Sequence, residues 1–198
     1  MQMHRLFIAI PVPDGVKTEL EKVQAELRGA ISAGGVRWTK REQFHLTLRF
    51  LGDVAADRVE ALARAVREVC DVFPPLRLRA ERIGFFPDLR FPRVVWAWVH
   101  DEQELLPKLQ EAIEAAAKDF TAEPAEKKFT GHITLARIKS LPRPQAELLA
   151  KMALGMTDRF FGEWTAGQVE IIRSELGPGG SRYTTVSVVP LGGDGVVE

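Results

Sequence analysis

A chain of 198 residues, 45% hydrophobic and 27% charged, has the composition of a soluble globular protein with one good core or two small lobes sharing an interface. Its 27 lysines and arginines balance 27 aspartates and glutamates, which excludes the bulk basic coat of a DNA-packaging protein but not a local basic cleft for a nucleic-acid end. The single cysteine, Cys70, excludes an internal disulfide and a cysteine-based metal site.

Hydrophobic periodicity and breakers divide the chain as follows. Residues 4–10 (HRLFIAI) predict a strand stopped by Pro11, too short for a signal peptide or a membrane span. Val16, Leu20, Val23 and Leu27 mark one face of a helix that Asp14 is placed to cap. Residues 45–51 (HLTLRFL) alternate as a strand ended by Gly52. Val59, Leu62, Val66 and Val69 mark a second helix, opened by Asp57 with Glu60 three residues on, and Cys70 falls on its apolar repeat as a small core residue. A strand over 76–86 follows. The series then begins again, with a strand over 93–99, a helix marked by Leu105, Leu109, Ile113 and Ala117, and a strand over 132–138. A helix from Ala146 to Leu154 follows Pro144, and strands at 168–176 and 183–189 close the chain around a GPGG hairpin turn (177–180). Residues 192–198 read as a flexible tail.

The two halves align at nearly constant offset. His45 and His132 lie 87 positions apart, as do Val59 and Ala146, while Leu6 and Val94 lie 88 apart. That period is far too long for stacked repeats. It predicts an α+β protein spanning 1–191 as one bilobal unit, its two lobes related by approximate two-fold symmetry. The order of the strands, and whether any cross between lobes, stays open.

Of the four histidines, two begin the matched strands, as His45-Leu46-Thr47-Leu48 and His132-Ile133-Thr134-Leu135. Side chains alternate along a strand, so each motif presents an imidazole and a hydroxyl to one side and two aliphatic anchors to the other. Two such pairs facing one cleft suit phosphodiester hydrolysis. One imidazole takes a proton from water while the other protonates a departing oxygen, and an ordinary pKa of about 6.5 lets histidine hold either state. The threonines are placed to hydrogen-bond non-bridging phosphate oxygens as charge develops there. His4 and His100 fit neither motif and read as structural or surface residues. No H-x-H, H-E-x-x-H or clustered carboxylates accompany the histidines, and no G-x-x-x-x-G-K-[ST] loop occurs, so neither a metal nor ATP is implied.

These motifs and their surroundings resemble the two-histidine phosphoesterase superfamily, and within it the bacterial RNA 2′,3′-cyclic phosphodiesterases, historically called 2′–5′ RNA ligases. The resemblance runs from about Leu6 to Leu191 and is carried by RLFIAIPVP, WTKREQFHLTLRFLGDV, RIGFFPDLRFPRVVWAWV, FTGHITLARIK and RYTTVSVVPL. It implies a bilobal α+β fold with antiparallel sheets lining a central cleft and helices outside. It implies opening of a terminal RNA 2′,3′-cyclic phosphate to a 2′-phosphomonoester without a cofactor, with His45 as proton donor to the 3′ oxygen and His132 as proton acceptor from water. A cytoplasmic monomer acting on RNA ends, with neither DNA nor membrane as partner, completes the expectation.

Around the motifs, Arg49 falls on the cleft face by alternation after Thr47 and is a phosphate-binding candidate. Arg137 shares the face of Leu135 by alternation, so reaching the phosphate requires a bulge; the resemblance makes it a second candidate. Tyr183 borders the cleft from the last strand, sharing its face with Thr185 and Ser187, and Phe44 is a candidate support for a base, with a core position as its alternative. Trp96 and Trp98 read as packing residues. Arg37, Lys40 and Arg41 are candidate guides for an RNA strand, or solvated loop cations. The same constellation leaves three rivals open: 2′–5′ joining by the reverse reaction, a phosphodiesterase acting on a small cyclic nucleotide, and a non-catalytic module that captures phosphorylated ends.

Overall fold

The computed structural model describes residues 2–31, 34–125, 128–178 and 180–192. In chain order its elements are β1 (Met3–Pro11), α1 (Asp14–Ala30), β2 (Val36–Trp38), β3 (His45–Ala55), α2 (Val59–Cys70), β4 (Leu76–Phe86) and β5 (Val94–His100). Then come α3 (Leu105–Ala117), β6 (His132–Ile138), α4 (Arg143–Leu154), β7 (Phe160–Ala166), β8 (Gln168–Gly177) and β9 (Gly180–Pro190). The strands form one antiparallel sheet in the order β7-β4-β5-β6-β3-β1-β8-β9, with β2 added on β6.

The middle of that order is a seam. β6 and β3 meet through a single residue pair, Leu46 with Ile133, and four strands lie on each side of it. The halves match strand for strand, β6 with β3, β5 with β1, β4 with β8 and β7 with β9. The lobes are therefore not the two halves of the sequence. β4 precedes β5 in the chain yet belongs with β5 and β6, and β8 and β9 return to the first lobe.

The helices cross over as well. α1 packs on β7 and α4, while α3 packs on β3 and α2. Each lobe thus borrows a helix from the other half of the chain, and one continuous core of buried apolar residues runs under both. Leu20, Val23 and Leu27 of α1, and Leu109 and Ile113 of α3, are fully buried in it, each worth roughly 1.5–3 kcal/mol.

Several local expectations are corrected. The first residue of α1 is Asp14, which caps nothing; its N-cap is Pro13, whose backbone is extended. A short 3-10 turn (Ala56–Arg58) takes in Asp57 and delays α2 to Val59. β3 does not end at Gly52 but runs on to Ala55, still paired with β1; Gly52 takes φ +64, and the Glu123 side chain packs where a Cβ would stand. α4 starts at Arg143 with Pro144 in its first turn, where a missing N–H costs nothing. β2 and β7 carry too little periodicity to have been expected. The hairpin at 177–180 closes on the pair Gly177 and Gly180, although Gly179 lies outside the described residues, as does the tail from 193 onward.

Candidate active site

Both motif strands carry a bulge at the same place. Thr47 pairs with Ala9 and Arg49 with Ile8, which leaves Leu48 over; Thr134 pairs with Trp96 and Ala136 with Val95, which leaves Leu135 over. An extra residue reverses the alternation beyond it. His45 and Thr47, like His132 and Thr134, face the cleft as predicted. Past the bulge, Phe50 and Arg137 face it, and Arg49 and Ala136 turn inward.

The bulge carbonyls are held by buried glutamines on the crossed helices. Gln24 of α1 donates from Nε2 to the Leu135 carbonyl at 2.7 Å and to that of Thr39 at 2.8 Å. Gln110 of α3 donates to the Leu48 carbonyl at 3.4 Å. A ladder group released by a bulge is costly when buried without a partner; the Leu135 carbonyl also accepts from the Thr39 backbone N–H at 2.9 Å, and on each helix's apolar face a glutamine adds a side-chain donor. The signal was present in the sequence. Gln24 sits between Val23 and Leu27, and Gln110 between Leu109 and Ile113, where the period calls for apolar residues.

Alternation without the bulge misplaced Arg49. It is 3% exposed, pairs with Glu114 of α3 at 3.1 Å, and donates to the carbonyls of Glu123 and Pro124 at 2.7 Å each. It holds the connection that leads toward the second motif and does not line the cleft. Arg137 comes into the cleft by the bulge it required. Phe44 is a core residue, 3% exposed, on the opposite side of the strand from His45. Arg41 is drawn away by Glu21 at 2.5 Å and Asp14 at 3.1 Å, which raise its pKa, so of the three loop cations only Arg37 lines the cleft.

The cleft encloses about 510 Å³. Its lining includes both histidines, both threonines, Tyr183 and three arginines (Arg5, Arg37 and Arg137), with no carboxylate among them. Such a lining concentrates an anion of nucleotide size. Neither threonine hydroxyl has a hydrogen-bond partner among the described residues, which leaves both available to a ligand.

The two imidazoles are set identically. His45 Nδ1 lies 2.7 Å from the Gln43 carbonyl, and His132 Nδ1 lies 2.7 Å from that of Thr130, in each case two residues back. A carbonyl only accepts, so Nδ1 carries the proton and Nε2 is the nitrogen left to accept or, when charged, to donate. Aromatic rings fix each imidazole. Phe7 lies 4.7 Å from His45 and Tyr183 stands edge-on at 5.4 Å. Phe86 stands edge-on to His132 at 5.0 Å, and Trp96 lies at 6.0 Å. Trp96 lies across Gly84, where any Cβ would run into the ring.

Burial pushes the His45 pKa down to about 4 against its bond to the Gln43 carbonyl, and the charges of His132, Arg137 and Lys17 push the same way. Burial also lowers His132, with Arg137 adding to it. Both shifts run below the ordinary histidine range and favour the neutral imidazole.

His100 stacks on Trp98 at 4.1 Å and meets Glu81 at 3.4 Å, outside the cleft lining, and His4 sits near the far end of β1. Among the described residues no group of three or more His, Cys, Asp or Glu side chains is placed to hold a metal ion, and no helix is long and apolar enough to cross a membrane. Sequence patterns did not reveal Phe7 and Phe50 as cleft residues, or Phe86 as the ring against His132, because aromatic residues in strands ordinarily signal packing.

The family model for LigT-like phosphoesterases matches the chain twice, over residues 10–96 and 98–183, once for each half of the duplication. A relative from Archaeoglobus fulgidus, named RNA 2′,3′-cyclic phosphodiesterase, is 30% identical over 184 residues, covering 93% of this chain and 98% of its own. One of the same name from Methanothermobacter thermautotrophicus is 28% identical over 187 residues, covering 94% and 98%. Among solved structures, that of TT0787 from Thermus thermophilus superposes with a TM-score of 0.77 at 29% identity, covering 96% of this chain and 99% of that one. Escherichia coli LigT complexed with 3′-AMP gives 0.75 at 23% identity over the same shares, a likeness of fold.

Proposed function

The chain belongs to the LigT-like phosphoesterase family of the two-histidine superfamily, and from that premise we propose that it hydrolyses terminal RNA 2′,3′-cyclic phosphates to 2′-phosphomonoesters, with His45 and His132 as paired acid and base. The observation that carries the reading is the identical tethering of the two imidazoles, each with Nδ1 on a carbonyl and Nε2 free at one cleft. The relatives' shared name supports the substrate.

In the proposed reaction a water oxygen attacks phosphorus as His132 Nε2 takes its proton. The bond from phosphorus to O3′ breaks, and His45 Nε2–H protonates the departing oxygen. Thr47, Thr134 and Arg137 receive the charge gathering on the non-bridging oxygens, Arg137 through a charge-assisted bond. Tyr183, held against Phe7 and His45, borders the cleft beside the proposed acid. The acid must be charged although its burial disfavours this, and the phosphate anion of the substrate provides the compensating charge.

The test is turnover of a nucleoside 2′,3′-cyclic phosphate after exhaustive chelation, with the product identified by chromatography. We expect unimpaired conversion to the 2′-monophosphate. A 3′-monophosphate product, or activity lost on chelation and restored by a divalent ion, would sink the assignment.

A further inference from the structure

A second hollow opens beside His132, lined by Phe86, Lys128 and Thr130 and sharing His132, Thr134 and Arg137 with the main cleft. Beyond it, between the tip of the β4–β5 hairpin and the segment linking β6 to α4, lies a groove of about 880 Å³. The two are adjacent along the chain, since Val94 and Arg137 face the hollow while Arg93 and Ile138, the next residues, line the groove.

The groove's chemistry is specific. Phe91 projects from the hairpin tip, 72% exposed, with no ring or cation lying over it among the described residues. Arg90, Lys139 and Arg143 surround it together with the apolar Leu89, Leu141 and Ala150, and among the described residues only Arg143 of the three cations is neutralised, by Glu147 at 2.8 Å. The tip is also held in shape. Asp88 Oδ1 accepts from the backbone N–H groups of Arg90 and Phe91 at 2.7 and 3.0 Å, and Arg93 Nη1 donates to the Lys139 carbonyl at 2.7 Å. A bare aromatic on a fixed turn, beside two cations without a partner among the described residues and one residue along the chain from the hollow next to His132, matches what a single nucleic-acid strand requires.

The other exit along this lobe is closed to stacking. Trp98 is covered by His100 at 4.1 Å and by Arg82 at 5.1 Å, Arg79 lies over Phe160, and Glu81 neutralises both arginines.

We propose that RNA upstream of the terminal cyclic phosphate leaves the cleft past Arg137 and Lys128 and lies in this groove, with a base stacked on Phe91. The inference rests on the reading of the cleft as a site for RNA ends. From His132 to Lys139 the path along β6 is roughly 23 Å at about 3.3 Å per residue, room for several nucleotides.

The experiment compares kcat/KM for a cyclic mononucleotide and for a ladder of single-stranded oligonucleotides ending in a 2′,3′-cyclic phosphate. The wild-type protein is expected to favour the longer substrates. Phe91→Ala should lower kcat/KM for them roughly tenfold, the scale of one lost base–aromatic stack, and leave the mononucleotide unchanged. The double variant Arg90→Ala, Lys139→Ala should flatten the salt dependence for oligonucleotides by about 0.7 per lost phosphate contact. Normal mononucleotide turnover with indifference to chain length would overturn the groove alone, and is the result expected of a groove that takes a protein partner. Phe91→Ala lowering both substrates equally would also overturn it. A wild-type protein that turns over neither substrate would overturn the reading of the cleft and this inference together.

Discussion

The His45 and His132 strands share a backbone and differ in what they send into the cleft. Each places histidine, threonine, a bulge and then one more residue over the site, but that residue is Phe50 on one side and Arg137 on the other. The inward residue differs too, with Arg49 bound to Glu114 where the other strand has Ala136. Each copy of the duplication carries one H-x-T motif, whereas the arginine proposed to bind phosphate, Arg137, is matched by Phe50 in the other copy. The symmetry of the backbone therefore does not extend to the residue after the bulge, where the cleft receives Phe50, with Arg5 over its ring, on one side and Arg137 on the other.

The sharpest way to break the comparison is to remove the histidines singly. We expect His45→Ala and His132→Ala each to lower the rate by roughly 10²–10⁴. The double variant should lose far less than the product of the two, because the pair acts as a unit. His4→Ala and His100→Ala should leave the rate nearly unchanged. Either of them matching a motif histidine in steady-state assays would mean the wrong pair has been assigned.

The arginines come next. Arg137→Ala should reduce kcat/KM by roughly 10–10²-fold, the worth of one hydrogen bond from a charged group. Phe50→Ala, at the matching position, should do much less. Arg49→Ala should act on stability, costing about 3–5 kcal/mol by stranding Glu114, with kcat/KM of the folded fraction largely retained. Denaturant melts beside kinetics separate the two, and an Arg49 variant that is fully stable but inactive would reverse the distinction drawn here.

Smaller effects should follow from the bulge supports. Gln24→Leu leaves the Leu135 carbonyl without its side-chain donor and loosens the turn that presents Arg137, so KM should rise several-fold with a lesser change in kcat. Gln110→Leu, whose bond at 3.4 Å is longer and whose bulge presents only Phe50, should change KM less. Equal effects would argue that the bulges serve stability alone.

The smallest expected signal is in pH. Burial disfavours the imidazolium, so the protonated acid is lost at lower pH in the free protein than in the complex with a phosphate anion. The alkaline limb of kcat/KM, which reports the free protein, should therefore lie below that of kcat. Both apparent values belong to the histidine pair and not to single residues. Rate profiles with the order of the limbs reversed would contradict the electrostatics of the cleft.

Period-two alternation and the 87-residue offset made the H-x-T pairs, the α+β class and most elements legible in the sequence, because strand faces and helix faces are set by local geometry. β4, α3 and β6 fall where their periodicity places them. Pairing across the sheet depends on distant chain, and it alone decided that β8 and β9 return to the first lobe, that α1 and α3 trade places, and that β6 meets β3 at one residue pair. It also decided the bulges. One extra residue after each motif is invisible to a pattern of alternation, yet it sent Arg49 inward and Arg137 to the cleft, since a shift of one position in a strand exchanges its two faces.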